Sequence, residues 1–289
     1  MNKITLIAII SGLALGLHAG DWGKAPVPDK TPIEECVDIG GSITSGYMSD
    51  FIFQGSRHAR DTVWTDVNYT FDSFVPITVG ATYYNFTGGN FENGVFDDFL
   101  HTYAGFNLGT FAGFDTSFTM HHVFLPEGSG NVVTATSQSV ATLGLSRDLG
   151  FATLLLSTNY SIGGDGSFAA VPGGGAINGD FSGGWYHSAG LQKSYGLTDN
   201  VSLVLETGVG YSDDYWVHYW NSGWAHYYAK ASFPIKLNCR ATLTPYIGFN
   251  GGMDDNIGGF ESSDSLGLTG NGAGGGDVFH SGISLNVTF

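Results

Sequence analysis

The segment Asp277-Val278-Phe279-His280-Ser281-Gly282-Ile283-Ser284-Leu285-Asn286-Val287-Thr288-Phe289 decides the fold class. Phe279, Ile283, Leu285, Val287 and Phe289 fall on one parity; His280, Gly282, Ser284, Asn286 and Thr288 fall on the other. A strand sends successive side chains to opposite faces, so this segment has one greasy face and one polar face. A strand between lipid and a wet, side-chain-filled interior needs that pattern. The edge strand of a secreted sandwich is the alternative that the rest of the chain has to exclude.

Working back from there, eleven further alternating segments can be read: Val37–Met48, Thr62–Phe71, Val75–Phe86, His101–Leu108, Ala112–Val123, Gln138–Ser146, Phe151–Ile162, Trp185–Tyr195, Val201–Tyr211, Gly223–Phe233 and Ala241–Phe249. Their lengths are close to the ~9–11 residues that a tilted transmembrane strand requires. Short connections follow the even-numbered segments, among them Asp72-Ser73-Phe74, Gly109-Thr110 and Arg147-Asp148-Leu149-Gly150, and long ones follow the odd-numbered segments. A sandwich has no reason to sort loop length by parity. An outer-membrane barrel does, with short periplasmic turns, long outer loops and an even strand count. The expectation is all-β: a twelve-stranded antiparallel transmembrane β-barrel spanning 37–289.

Composition agrees. The 45 glycines suit many strands and turns, and helical periodicity is scarce after the first twenty residues. Residues 1–19 read as a secretory signal: Lys3, the apolar run from Ile4 to Leu17, then a small-residue exit at Ala19. That run is too short for a spanning helix, which takes ~20 residues. Residues 20–36, with Pro26, Pro28 and Pro32, read as a periplasmic lead-in. Outer-membrane localisation after leader cleavage follows, since only helices and closed barrels satisfy every backbone group in lipid. The formal charge of −16 excludes nucleic acid as a partner, because phosphate binding needs basic surface. Expected partners are outer-membrane lipid and lipopolysaccharide, the barrel assembly machinery and small solutes.

Aromatic residues gather near segment ends. Tyr47, Tyr83, Tyr84, Phe86, Trp185, Trp216, Trp220, Trp224 and Tyr227 are expected in an outer girdle. Phe71, Phe74, Phe111, Tyr195, Phe233 and Phe289 are expected in a periplasmic one.

The stretch Ser49-Asp50-Phe51-Ile52-Phe53-Gln54-Gly55-Ser56 resembles the first-hairpin signature of the TorF-type porins, Ser-Asp-aromatic-x-Phe-Arg-Gly-x-Ser. Ser49, Asp50, Phe51, Phe53 and Gly55 match, whereas Gln54 stands where the family places Arg. The resemblance implies an outer-membrane porin and says little about cargo. The closing run Leu285, Val287 and Phe289 similarly resembles the terminal signal that the barrel assembly machinery reads.

Charge placement carries the functional expectation. Beyond the first loop, the outer loops hold Glu92, Asp97, Glu127, Asp165, Asp180, Asp213, Asp214, Asp254, Asp255, Glu261 and Asp264 and no Lys or Arg. Basic residues sit at the periplasmic end: Lys24, Lys30, Arg147, Lys193, Lys236 and Arg240. Arg57 and Arg60 make the one cationic spot at the outer mouth. An acidic mouth concentrates cations within a Debye length, ~8 Å at physiological salt. Acidic loops that merely keep the surface soluble, or hold divalent ions among lipopolysaccharide, are the bland reading. Parity aims Asp66, Asp115, Glu206 and Lys230 into the lumen, with Glu206 and Lys230 at matched heights on neighbouring strands. It also aims His101, His121, His226 and His280 inward near the outer mouth, with His218 in an adjacent loop. These histidines share no short ligand motif, so polar lining is expected and no metal or other cofactor. Cys36 and Cys239 are candidates for a disulfide joining the lead-in to the fifth periplasmic turn.

The sequence therefore reads as a channel for passive diffusion of small, preferably cationic or neutral solutes. The alternative is a non-conducting barrel that binds a ligand or partner through long loops. An enzyme is not expected: His187-Ser188 and His280-Ser281 are adjacent on strands and so point to opposite faces, which is wrong for a hydrogen-bonded pair.

Overall fold

Each long strand among the described residues pairs antiparallel with the long strand before it, and the last pairs with the first. The structure is a computed structural model describing residues 39–87, 98–125, 136–164, 167–168, 177–178, 182–215, 222–253 and 277–289. Its long strands are β1 (Gly41–Phe53), β2 (Ser56–Phe71), β3 (Ile77–Phe86), β4 (Asp98–Phe111), β5 (Phe114–Leu125) and β6 (Thr136–Asp148). They continue as β7 (Thr153–Gly163), β8 (Trp185–Thr198), β9 (Val201–Asp213), β10 (Gly223–Ser232), β11 (Ala241–Gly252) and β12 (Val278–Thr288). The two-residue strand Ile235–Lys236 bridges β9 and β11 below the end of β10. The seam runs from Ser42 opposite Thr288 to Met48 opposite Gly282. Phe289 locks it: its N–H donates to the Gly41 carbonyl (3.0 Å), and the Gly41 N–H donates back to Phe289 (3.2 Å). The Phe289 ring lies where a Cβ at residue 41 would stand. Among the described residues the sheet of long strands has no open edge, so its ladder satisfies its own donors and acceptors without water.

The faces are sorted inside out relative to a water-soluble protein. Val63, Val67, Leu143, Leu205, Ile283 and Leu285 are exposed on the outer surface. Thr44, Asp66, Thr119, Thr142, Ser232, Thr244 and Ser284 are buried on the inner one. A sandwich would bury the first set; a barrel in hydrocarbon exposes it. Among the described residues no helix is long and apolar enough to cross a membrane.

Glycine solves the packing inside. Gly46 lies across the ladder from Trp64, Gly80 from Tyr103, Gly248 from His280 and Gly282 from Tyr246. In each pair the ring occupies the space that a glycine Cβ would need. Inward rings can thus lie flat against the wall.

Several boundaries differ from the sequence reading. The long loop expected after the first strand is a two-residue turn, because β1 and β2 run on to Phe53 and Ser56. Gln54 (φ 50°) and Gly55 (φ 90°) form it, the positive φ at both positions matching the twist of a tight hairpin. The turn between β4 and β5 is Ala112-Gly113, not Gly109-Thr110. Gly109 instead sits at a bulge, where its N–H donates to the Asn107 side chain (3.0 Å). Tyr84 and Phe86 do not join the outer girdle: both pack inward against Phe51 and Phe99. Tyr47, Tyr83, Trp185, Trp224 and Tyr227 do face outward near one end. Phe71, Phe74, Phe111, Tyr195, Phe233 and Phe289 are exposed at the other. Residues 1–36, where a leader and a lead-in are expected, lie outside the described residues, as do Trp216, Trp220 and most of the acidic loop residues.

Candidate functional site: the barrel lumen

The β1–β2 hairpin enters the lumen from the end of the barrel opposite the termini. Its strands shift register between Phe51 and Ile52, and Asp61 takes a positive φ of 47°. The kinked tip reaches the far wall. The Asn250 amide of β11 donates to the Gly55 carbonyl (2.9 Å), and a Cβ at residue 55 would overlap the His226 imidazole of β10. Phe53 packs against the buried cluster of Tyr186, Tyr215 and Ala225. At the hairpin's root, Phe51 lies among Tyr84, Phe86 and Phe99, with ring centroids at 5.0, 5.6 and 5.3 Å. Two apolar clusters on opposite walls are therefore joined through one short hairpin.

Below the hairpin is a recess of about 180 Å³ in the wall formed by β1–β5. Asp66 lies on it, 4% exposed. Its carboxylate accepts from the Thr82 hydroxyl (2.7 Å), the Asn68 amide (2.7 Å) and the Tyr103 hydroxyl (3.2 and 3.3 Å). The recess also takes in Trp64, Tyr84 and the pair His101 and His121, whose ring nitrogens are 2.9 Å apart.

The remaining sequence candidates divide. Glu206 and Lys230 are direct cross-strand partners, as their heights predict, but do not close into an ion pair. Glu206 accepts from Tyr228 (3.0 Å) and Gln192 (3.4 Å), while the Lys230 ammonium sits 4.7 Å from the Tyr246 ring centre. Asp115 is near the Ala112-Gly113 turn, accepting from Thr110 (2.5 Å). Arg57 does not form a cationic spot with Arg60: it pairs with Asp50 at 3.5 Å, both largely buried, whereas Arg60 is exposed. His226 meets the Tyr186 hydroxyl (3.3 Å), and His280 packs against Tyr246. Of these histidines His101 and His121 meet while His226 and His280 stand apart, and among the described residues no group of three metal-ligating side chains forms. His218 lies outside the described residues. Cys239 is disulfide-bonded; Cys36, the other cysteine in the sequence, is also outside them.

Reading neighbours along the chain missed two outward pairs. His187 and Ser188 do diverge, Ser188 turning in to Ser157 (2.8 Å). Yet His187 meets Thr158 across the ladder (3.1 Å), and His122 meets Ser139 (3.0 Å). Among the described residues no third side chain is hydrogen-bonded to either ring. The signal for such pairs is strand register, which sequence parity alone does not supply.

No protein-family model matches this chain, and no curated relative matches it. Among solved structures it is similar to an outer membrane channel from Pseudomonas putida, at 10% identity and a TM-score of 0.50, covering 90% of this chain and 100% of that one. LpxR from Salmonella typhimurium aligns at 8% identity and a TM-score of 0.44, over 86% of this chain and 100% of that one. The translocator domain of the autotransporter NalP from Neisseria meningitidis aligns at 11% identity and 0.42, over 88% and 90%. At these identities the likeness to the channel is one of fold.

Proposed function

We propose that this chain is a bacterial outer-membrane channel for passive diffusion of small neutral or cationic solutes, narrowed at its outer mouth by the β1–β2 hairpin. The end carrying the termini and the short turns is the periplasmic one. The observation that carries the reading is the charge left on the inner wall. Among the described residues that alternation aims inward along the mid-wall, Asp66 and Glu206 outnumber Lys230, and the Asp50–Arg57 pair cancels itself. A lumen with excess negative charge raises the local concentration of cations and lowers that of anions. The fold likeness to a Pseudomonas putida channel supports it, as does the Ser49–Ser56 resemblance to the TorF-type porins. Outer-membrane lipid, lipopolysaccharide and the assembly machinery are the partners such a barrel meets.

Planar-bilayer recording of refolded protein tests the proposal. Stepwise conductance with a cation-shifted reversal potential across a salt gradient is expected. A reversal potential shifted toward anions would reject the charge argument. The second reading, a non-conducting barrel that binds a ligand or partner, draws support from the hairpin, whose Phe53 and Gly55 reach the opposite wall. Electrical silence of folded, inserted protein would select it.

A further inference from the structure

The Asp66 recess combines features that ordinary wall lining does not need together. Its carboxylate is almost fully buried, yet among the described residues no Lys, Arg or His nitrogen lies within 4 Å of it. Hydrogen bonds from Thr82, Asn68 and Tyr103 hold the group in place but bring no positive charge. A buried ion without a counter-charge is costly, and native structures usually pair it. Around it stand aromatic rings: Trp64 and Tyr84 lie 6.4 Å apart at 27°, and Tyr103 lies beside His101. Ring faces attract cations, most strongly those with a weakly hydrated, apolar surface. The recess is also roofed. Met48, on its lining, packs into the cluster around Phe51, so the hairpin lies directly above.

We propose that the Asp66 recess is a binding subsite for small organic ammonium ions, with the carboxylate as counter-charge and Trp64 and Tyr84 as aromatic wall. A volume of about 180 Å³ admits a quaternary ammonium headgroup. A bare metal ion would leave the aromatic wall without a role, and a neutral solute would leave the charge uncompensated. The proposal rests on the reading of the lumen as a solute passage and names the class of solute that lingers there.

Choline is the probe, titrated calorimetrically into refolded protein in detergent. Its neutral isostere, with carbon replacing the quaternary nitrogen, is the control. Saturable choline binding is expected, with the isostere at least about tenfold weaker. Asp66→Asn is expected to weaken choline about tenfold or more. Trp64→Leu, which keeps the carboxylate, is expected to weaken it about threefold or more. Heat-modifiable mobility on gels establishes that each variant is folded. Should Asp66→Asn not fold, the isostere and Trp64→Leu decide the matter. Absence of choline binding, equal binding of the isostere, or wild-type affinity in the folded variants overturns the proposal. Binding in detergent is independent of current. A silent bilayer with intact choline binding rejects the channel and keeps the site, while conductance without choline binding does the reverse.

Discussion

Tyr103 reaches Asp66 because residue 80, directly across the ladder, has no side chain. Its ring fills the space over Gly80, and its hydroxyl then lies 3.2 Å from the carboxylate. Gly80→Val should displace the ring and cost about 1–3 kcal/mol of stability through overpacking. Urea titration of protein folded in vesicles would read this. Gly196→Ala, where nothing lies within 4 Å of the added carbon, should stay within about 0.5 kcal/mol. Equal effects at both positions would refute the ring-on-glycine account. The inward direction of Asp66 was legible in the sequence, since alternation with Val63, Val67 and Tyr69 assigns it. Its partners were not. Thr82 and Tyr103 come from β3 and β4, and only the inter-strand register sets them opposite.

At the scale of the element, the β1–β2 hairpin holds the mouth narrow. Its contacts are an Asn250 amide on Gly55, Phe53 in the Tyr186 cluster, and the partly buried Asp50–Arg57 pair near its root. Removing Ile52 through Arg57 and rejoining the strands by a two-residue turn should raise single-channel conductance while leaving the barrel folded. Unchanged conductance would show that the hairpin does not lie on the conduction path. The Ser49–Ser56 motif marked this stretch in the sequence without indicating that it folds inward. An outer loop and an inward hairpin have the same composition; a register shift and three positive-φ residues separate them. The turn between β10 and β11 carries a second element-level prediction. Cys239 is disulfide-bonded, and Cys36 is the remaining cysteine of the chain. Tethering the lead-in there should make Cys239→Ser less stable by about 2–5 kcal/mol. Non-reducing peptide mapping that recovers two free thiols would dismiss the tether.

At the scale of the whole molecule, stability depends on which solvent meets each face. Leu143 lies mid-strand on the outer surface, so Leu143→Arg should cost about 2–4 kcal/mol in vesicles. Leu108, near the turn end of β4, should tolerate arginine at about 0–1 kcal/mol. Comparable costs at the two depths would argue against a bilayer around this surface. The closed order of twelve strands follows from the same sorting, since an open edge in lipid would strand a row of backbone donors and acceptors.

The sequence by itself determined the strands, their greasy and polar faces and their number, because side-chain alternation is local and the solvent on each side dictates it. Only the tertiary structure decided what fills the interior: the hairpin tip on Asn250, the rings over Gly80 and Gly248, and the recess around Asp66. These contacts join residues brought together by register and by the closure of the sheet. Neither leaves a periodic trace along a single strand.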